Sequence, residues 1–250
     1  MNRRIEFEAD VFSSNGLTLL VDGTAQSHVD AVDPTRLFFE YTRRVGHVLD
    51  ALGAPGAPLR AAHLGGGALT LARYVAATRP GSSQVVVDID REVLEAVLVR
   101  LPLPGDADIE FVVGDAASVI DTLTASFDVV IVDLYRRLQP PAFVETAAFM
   151  GGCLRLLAPR GALVVNVADA AGLVRLRGQT RAISRSDPGA QLLVAGDPSM
   201  LSGAEEGNAV VVAAPDGLPD GLGERLLALG PHPAEVLEGD RLDFVLWGAC

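Results

Sequence analysis

From Arg60 onward the chain alternates short apolar runs with helix-spaced stretches, and no other feature narrows its fold as far. The runs Ala61–Leu64, Gln84–Asp88, Ile109–Val113, Phe127–Asp133 and Ala162–Val167 have the length of strands. Between them, Leu69–Thr78, Arg91–Val99 and Val144–Leu157 carry apolar residues at helical spacing. A strand that is apolar along its whole length has no polar face to give to water, so both faces must be covered. Helices that cross over between parallel strands do this, and the expected fold is α/β with a doubly wound sheet. Later runs at Gln191–Ala195 and Asn208–Ala213 are expected to add an antiparallel edge.

The flanks read differently. Residues 1–32 hold short strands around two turns, Asn15-Gly16 and Asp22-Gly23, and make a small N-terminal β-hairpin domain. Asp33-Pro34 has the form of a helix start, with Leu37, Phe38, Tyr41, Val45, Val48 and Leu49 at helical spacing as far as Leu52. The stretch Gly53-Ala54-Pro55-Gly56-Ala57-Pro58 ends that helix. The main domain is expected over 33–215. A C-terminal extension over 216–250 would hold a helix at Leu222–Leu229 and a last strand around Phe244–Trp247.

Charge and composition exclude several classes. The formal charge of −12 repels phosphate backbones, so nucleic acid is not an expected partner. All 20 basic residues are arginine, which removes a P-loop lysine, a Schiff-base lysine and a lysine general base together. The cysteines, Cys153 and Cys250, form no CxxC pair, and His28, His47, His63 and His232 lack ligand spacing, so no metal site is expected. No apolar stretch is long enough for a membrane span, and the first ten residues alternate charge with apolar groups. The expectation is a cytoplasmic protein without a membrane partner.

In an open parallel sheet, ligands bind beyond the carboxyl ends of the strands, so the residues just after each strand matter most. After the first strand comes Gly65-Gly66-Gly67, where backbone amides can approach a ligand. After the second comes Asp88, 23 positions past Gly65, where a carboxylate can accept two ribose hydroxyls. Gly114-Asp115-Ala116 follows the third strand and Asp133 closes the fourth. Each has a plain structural alternative: a tight turn for the glycines, a helix cap for Asp88, Asp90 or Asp115. Their joint occurrence at successive strand ends points to an adenosine-containing ligand. A dinucleotide fingerprint, G-x-G-x-x-G, is incomplete, because Gly65 and Gly67 are followed by Thr70. An acid after the third strand suits S-adenosylmethionine better, with NAD the lesser alternative.

On these motifs the chain resembles the spermidine synthase (aminopropyltransferase) family, over roughly residues 17–213. The family's "DG…Q" turn is similar to Val21-Asp22-Gly23-Thr24-Ala25-Gln26-Ser27, and its GGGDGG loop to Gly65-Gly66-Gly67-Ala68-Leu69-Thr70 with Arg73 following. Its "VEID" is similar to Val87-Asp88-Ile89-Asp90, its "DA" to Asp115-Ala116, and its D-x-x-D strand end to Asp133 with Arg136 at the second acid. The resemblance implies a Rossmann-like sheet of the class I S-adenosylmethionine-dependent methyltransferase type. It also implies S-adenosylmethionine or its decarboxylated form as co-substrate, held by Gln26, Gly65, Gly66, Gly67, Asp88, Asp115 and Ala116. Asp133 would be the general base toward a small-molecule amine, and the assembly a homodimer. The family's loop carboxylate, which holds the aminopropyl amine, is replaced by Ala68, the second acid of D-x-x-D, which helps hold the diamine, by Arg136, and its "YHE" or "YQE" by Phe38-Phe39-Glu40. Losing two carboxylate contacts weakens diamine binding by about two to four orders of magnitude. Three readings follow: an aminopropyl transferase of polyamine biosynthesis, a methyltransferase on the same frame, and a non-catalytic ligand-binding or scaffold homologue.

Overall fold

A computed structural model describes residues 3–124, 126–135 and 139–248. Three N-terminal strands, β1 (Ile5–Ala9), β2 (Gly16–Val21) and β3 (Thr24–Asp30), form an antiparallel sheet in that order. Asp22 and Gly23 both take left-handed backbone angles (φ 52° and 79°), as the two-residue turn between β2 and β3 requires.

The main sheet has eight strands among the described residues. These are β4 (Arg60–Leu64), β5 (Ser83–Asp88), β6 (Asp108–Val113), β7 (Phe127–Val132), β8 (Leu157–Asp169), β9 (Gln191–Gly196), β10 (Gly207–Ala214) and β11 (Glu235–Glu238), in the order β11-β9-β10-β8-β7-β4-β5-β6. Strands β4 to β8 pair in parallel, while β10 runs antiparallel between β8 and β9. The chain builds outward from β4 through β5 and β6, then returns to β4's other side with β7. The order therefore reverses between β4 and β7, and a crevice opens there.

Alternation along each strand feeds two cores. Ala61, Val129, Ile131, Val164 and Val212 pack under α1 (Glu40–Ala51), α2 (Thr70–Thr78) and α8 (Leu222–Leu229). Ala62, Val130, Val132, Leu163 and Val211 pack under α5 (Ala147–Arg155), α6 (Val174–Ser186) and α9 (Gly239–Trp247). A third cluster joins Leu19 and Val29 of the N-terminal sheet to α2 and to α3 (Arg91–Arg100). Cys153 is fully buried on α5 as packing, and Cys250 lies outside the described residues.

Three expectations need correction. The helix read from Asp33-Pro34 starts at Glu40. Asp33 instead caps one turn, through the amide and hydroxyl of Thr35, and the following residues strap back onto the N-terminal sheet. There the Arg36 guanidinium meets Asp10 at 2.8 Å and Phe38 stacks on His28 with ring centres 4.5 Å apart. Those contacts replace the helical turn that the spacing suggested. The helix read over Val144–Leu157 is a 3₁₀ turn, Ala142–Glu145, followed by α5, whose start is capped by the Thr146 hydroxyl. Phe244–Trp247 is helical, and the last strand lies earlier, at Glu235–Glu238, where β9 offers a free edge.

Candidate functional site

The crevice at the β4/β7 reversal is the mouth of a cavity of about 1300 Å³, and every site residue expected from the sequence lines it: Gln26, Gly65, Gly66, Gly67, Asp88, Asp115, Ala116 and Asp133. Gly65 is held at φ +100°, and a Cβ there would lie 2.1 Å from the backbone oxygen of Asp133. The ends of β4 and β7 thus come so close that only glycine fits. Asp88 closes the loop from the other side. Its Oδ2 accepts the Gly66 amide at 2.8 Å and its Oδ1 accepts the Asp90 amide at 2.8 Å. The Asp88 carboxylate also lines the cavity, where it can accept from hydroxyl donors. Burial pushes the Asp88 carboxyl above its ordinary range, against the pull of the Gly66 and Gly67 amides.

The plain structural roles are also filled. Asp90 caps α3 at the Val93 amide (3.2 Å), and Asp115 caps α4 (Ala116–Val119) at the Ala117 amide (2.9 Å). Thr70, at the third glycine position of the dinucleotide pattern, gives its hydroxyl proton to the His28 carbonyl at 2.8 Å and meets the Ser27 hydroxyl at 2.8 Å. It ties the N-terminal sheet to the glycine loop, which is how Gln26 on β3 reaches the cavity. Arg73 is buried and donates to the carbonyls of Ala68, Leu101 and Pro102, so it braces the loop from behind. Ala68 is fully buried in the cluster with Leu19, Val29 and Ala72 and does not line the cavity. Phe39 and Glu40 line it, whereas Arg136 lies outside the described residues.

Beyond Asp133 the cavity contains groups that sequence reasoning missed: Tyr41, Tyr135, Asn166 and Asn208. Tyr41, on the first turn of α1, donates to Asp133 Oδ2 at 2.9 Å, and Asn166 on β8 donates its side-chain amide to Asp133 Oδ1 at 2.8 Å. Burial drives the Asp133 carboxyl upward, and these two bonds hold it back. Burial raises the Tyr41 hydroxyl well above its ordinary value, and the neighbouring Asp133 charge adds to that, so Tyr41 stays a neutral donor. One signal for Asn166 was available, since it is the single polar residue in the run Ala162–Val167. In the sequence Tyr41 stands out only as one of the residues at helical spacing between Leu37 and Leu52. No group of three or more His, Cys, Asp or Glu among the described residues could hold a metal ion. His63 is buried, bonded to Gln84 at 2.8 Å, and pushed by burial down to about 4, which keeps it neutral.

A buried carboxylate kept acceptor-ready in a cavity that also presents Asp88 and the glycine loop can take a proton from a nucleophile bound beside it. Comparison with known proteins gives the family. The profile of the spermine/spermidine synthase domain matches residues 38–171. A polyamine aminopropyltransferase of Chromobacterium violaceum is 32% identical over 144 residues, 57% of this chain and 54% of that protein, so the chain matches about half the length of this curated relative. Among solved structures, a probable spermidine synthase from Corynebacterium glutamicum superposes with a TM-score of 0.86 at 29% identity, covering 99% of this chain and 91% of that one. The spermidine synthase of Thermotoga maritima gives 0.63 at 21% identity, covering 91% of this chain and 75% of that one, a likeness of fold alone.

Proposed function

The chain belongs to the spermine/spermidine synthase family, and from that premise we propose that it transfers an aminopropyl group from decarboxylated S-adenosylmethionine to a small amine. The observation that carries this reading is the Asp133 carboxylate, held by Tyr41 and Asn166 in the same cavity as the glycine loop and Asp88. The residues fit such a co-substrate: Asp88 for the ribose hydroxyls, Asp115 and Ala116 at the nucleobase end, Gln26 as the closure from the N-terminal sheet. When bound, the co-substrate supplies a carbon activated by a positive sulfur, which leaves as a neutral thioether.

The chain's own task is to ready the amine. An ammonium has no lone pair to attack with, so Asp133 takes its proton. The nitrogen then forms the new C–N bond while the C–S pair of electrons returns to sulfur. That leaving group needs no acid, so one base and close positioning suffice. The same reading takes the protein as a cytoplasmic homodimer. Val11, Phe12 and Val32, beside the N-terminal sheet, are exposed apolar side chains, and this reading assigns them to the contact with a second copy. Among the described residues, no helix is long and apolar enough to cross a membrane.

The test combines a thermal-shift series with product analysis, using S-adenosylmethionine, its decarboxylated form, methylthioadenosine and NAD. A nucleoside at 100 times its dissociation constant stabilises by about 2.7 kcal/mol. Methylthioadenosine release in the presence of an amine is the expected product. Release of S-adenosylhomocysteine from the intact compound would replace this reading with methyl transfer, and binding without turnover would leave a scaffold.

Two further outcomes are expected in the same assays. Asp88→Ala weakens nucleoside binding at least about tenfold, a loss of about 1.4 kcal/mol, with the cooperative melt retained. Unchanged affinity by calorimetry would reduce Asp88 to a tie for the Gly66 amide. Because Ala68 supplies no carboxylate to the glycine loop, intact S-adenosylmethionine should bind within about tenfold of the decarboxylated form. A preference of a hundredfold or more for the latter would show that discrimination comes from elsewhere.

A further inference from the structure

Asp133 is reached by two donors, and one of them is itself held by a third side chain. Asn208 Nδ2 donates to Asn166 Oδ1 at 2.9 Å, and Asn166 Nδ2 donates to Asp133 Oδ1 at 2.8 Å. Antiparallel pairing sets Val210 of β10 opposite Asn166 of β8 and Asn208 opposite Ala168. The two asparagines are therefore diagonal neighbours on one face of the sheet, within reach of each other's amides.

An asparagine amide has two ends of opposite hydrogen-bonding sense and nearly equal shape. Toward a carboxylate, the NH₂ end forms a charge-assisted bond, while the oxygen end would set acceptor against acceptor. Packing alone distinguishes these two orientations poorly. A donor fixed on the far side does distinguish them, because it claims the oxygen. The Asn166 backbone is pinned as well. Pairing of β7 with β8 ends at Val132, and beyond it the Tyr135 hydroxyl donates to the Asn166 carbonyl at 3.0 Å and accepts from the Ala168 amide. With the backbone held, the remaining freedom of Asn166 is the rotation of its amide, and Asn208 removes it.

We propose that Asn208 is a positioning residue for Asp133: acting through Asn166, it fixes the amide so that the NH₂ end meets the carboxylate. The inference rests on Asp133 as the base of the proposed reaction. Among the described residues, the titratable neighbours of Asp133 are Tyr41 from α1 and Tyr135 from the segment after β7, both pushed upward chiefly by burial. Neither changes charge near neutral pH, so a shift at Asp133 reports on its amide donor.

The test follows the Asp133 carboxyl by ¹³C NMR titration of the whole chain, with the signal assigned by its loss in Asp133→Asn. Asn208→Leu should raise the Asp133 midpoint by about half a pH unit or more, and Asn166→Leu by at least as much. The double variant should go no further than Asn166→Leu alone, because the two side chains act in series. Asn208→Gln keeps an amide donor in a longer side chain, so it should raise the midpoint less than Asn208→Leu does, whereas a packing role predicts the isosteric leucine to be the milder change. Asn208→Ala serves if the leucine variant does not fold. An unmoved midpoint in Asn208→Leu and Asn208→Ala, or additive shifts in the double variant, overturns the proposal. The titration needs no turnover, so absence of transfer to any amine would defeat the proposed reaction and leave this result readable.

Discussion

Asp133→Asn is expected to lower kcat/KM by about 10²–10⁴-fold, the usual contribution of a positioned base, with nucleoside affinity unchanged. The asparagine keeps the shape of the carboxylate, and its oxygen can still accept from Asn166 while the Tyr41 hydroxyl turns to accept from its NH₂. What is lost is the ability to take a proton from an ammonium. The pH dependence follows from the same group. Burial raises the Asp133 carboxyl above its ordinary range, so the acid limb of kcat/KM should lie above that range and activity should fall as pH falls through it. Stability runs in the opposite sense. A carboxyl raised in the folded state contributes stability that is fully present below its unfolded value and is lost as pH rises through the folded one. At neutral pH the ionised Asp133 is therefore a cost to the fold, and Asp133→Asn should melt no lower than the parent protein there. Any advantage should vanish in acid, where both side chains are neutral. An inactive variant that is also markedly less stable at pH 7 would show that Asp133 holds the fold together and would leave its role as base unsupported. A fully active one would end that role.

Gly65→Ala should lower stability by about 3 kcal/mol or more, combining a left-handed backbone angle with overpacking. The methyl group would have to occupy space 2.1 Å from the Asp133 carbonyl oxygen, and that atom belongs to the backbone at the end of β7. Relief requires the ends of β4 and β7 to separate, which also displaces Asp133 from Tyr41 and Asn166. In a chain of this size such a loss lowers Tm by about 6–12 °C. Nucleoside binding should weaken with it, because Gly66 then no longer meets Asp88. Gly105→Ala is the control, since a Cβ there meets nothing within 4 Å, and its effect should stay within about 0.5 kcal/mol. A Gly65→Ala protein as stable as the parent would mean that the two strand ends do not approach as described.

Much of the architecture was legible in local spacing. Strands apolar on successive residues must be covered on both faces, so β4 to β8 and the helices between them could be read in order. Their carboxyl ends could then be read as the site, and Gly65, Asp88, Asp115 and Asp133 do line one cavity. The resemblance to aminopropyltransferases rested on those same motifs, and the matched domain over residues 38–171 covers them from Gly65 through Asp133. Helix α6 shows where local reading runs out. Its buried face includes Gln179 and Thr180, so the apolar period is broken and no helix was expected there. The C-terminal run Phe244–Trp247 failed for a related reason, since four residues are too few to separate a strand from a helix. Leu242 and Leu246 bury one face of α9 at a spacing of four, and Glu235–Glu238 becomes a strand because β9 has an edge to pair.

By itself, then, the sequence determined the alternation of strands and helices, the positions of the strand ends, and the glycines and acids placed on them, because each of these depends on neighbours a few residues away. The tertiary structure alone decided what those residues meet. Tyr41 and Asp133 are 92 positions apart, and Asn166 and Asn208 are 42 apart. Whether such side chains meet depends on where α1 crosses the sheet and on the register of β10 against β8, neither of which local spacing encodes. The glycine at position 65 makes the same point. Its place after a strand was evident in the sequence, but the reason it must be glycine is the carbonyl of a residue on a strand that the chain reaches only three crossovers later.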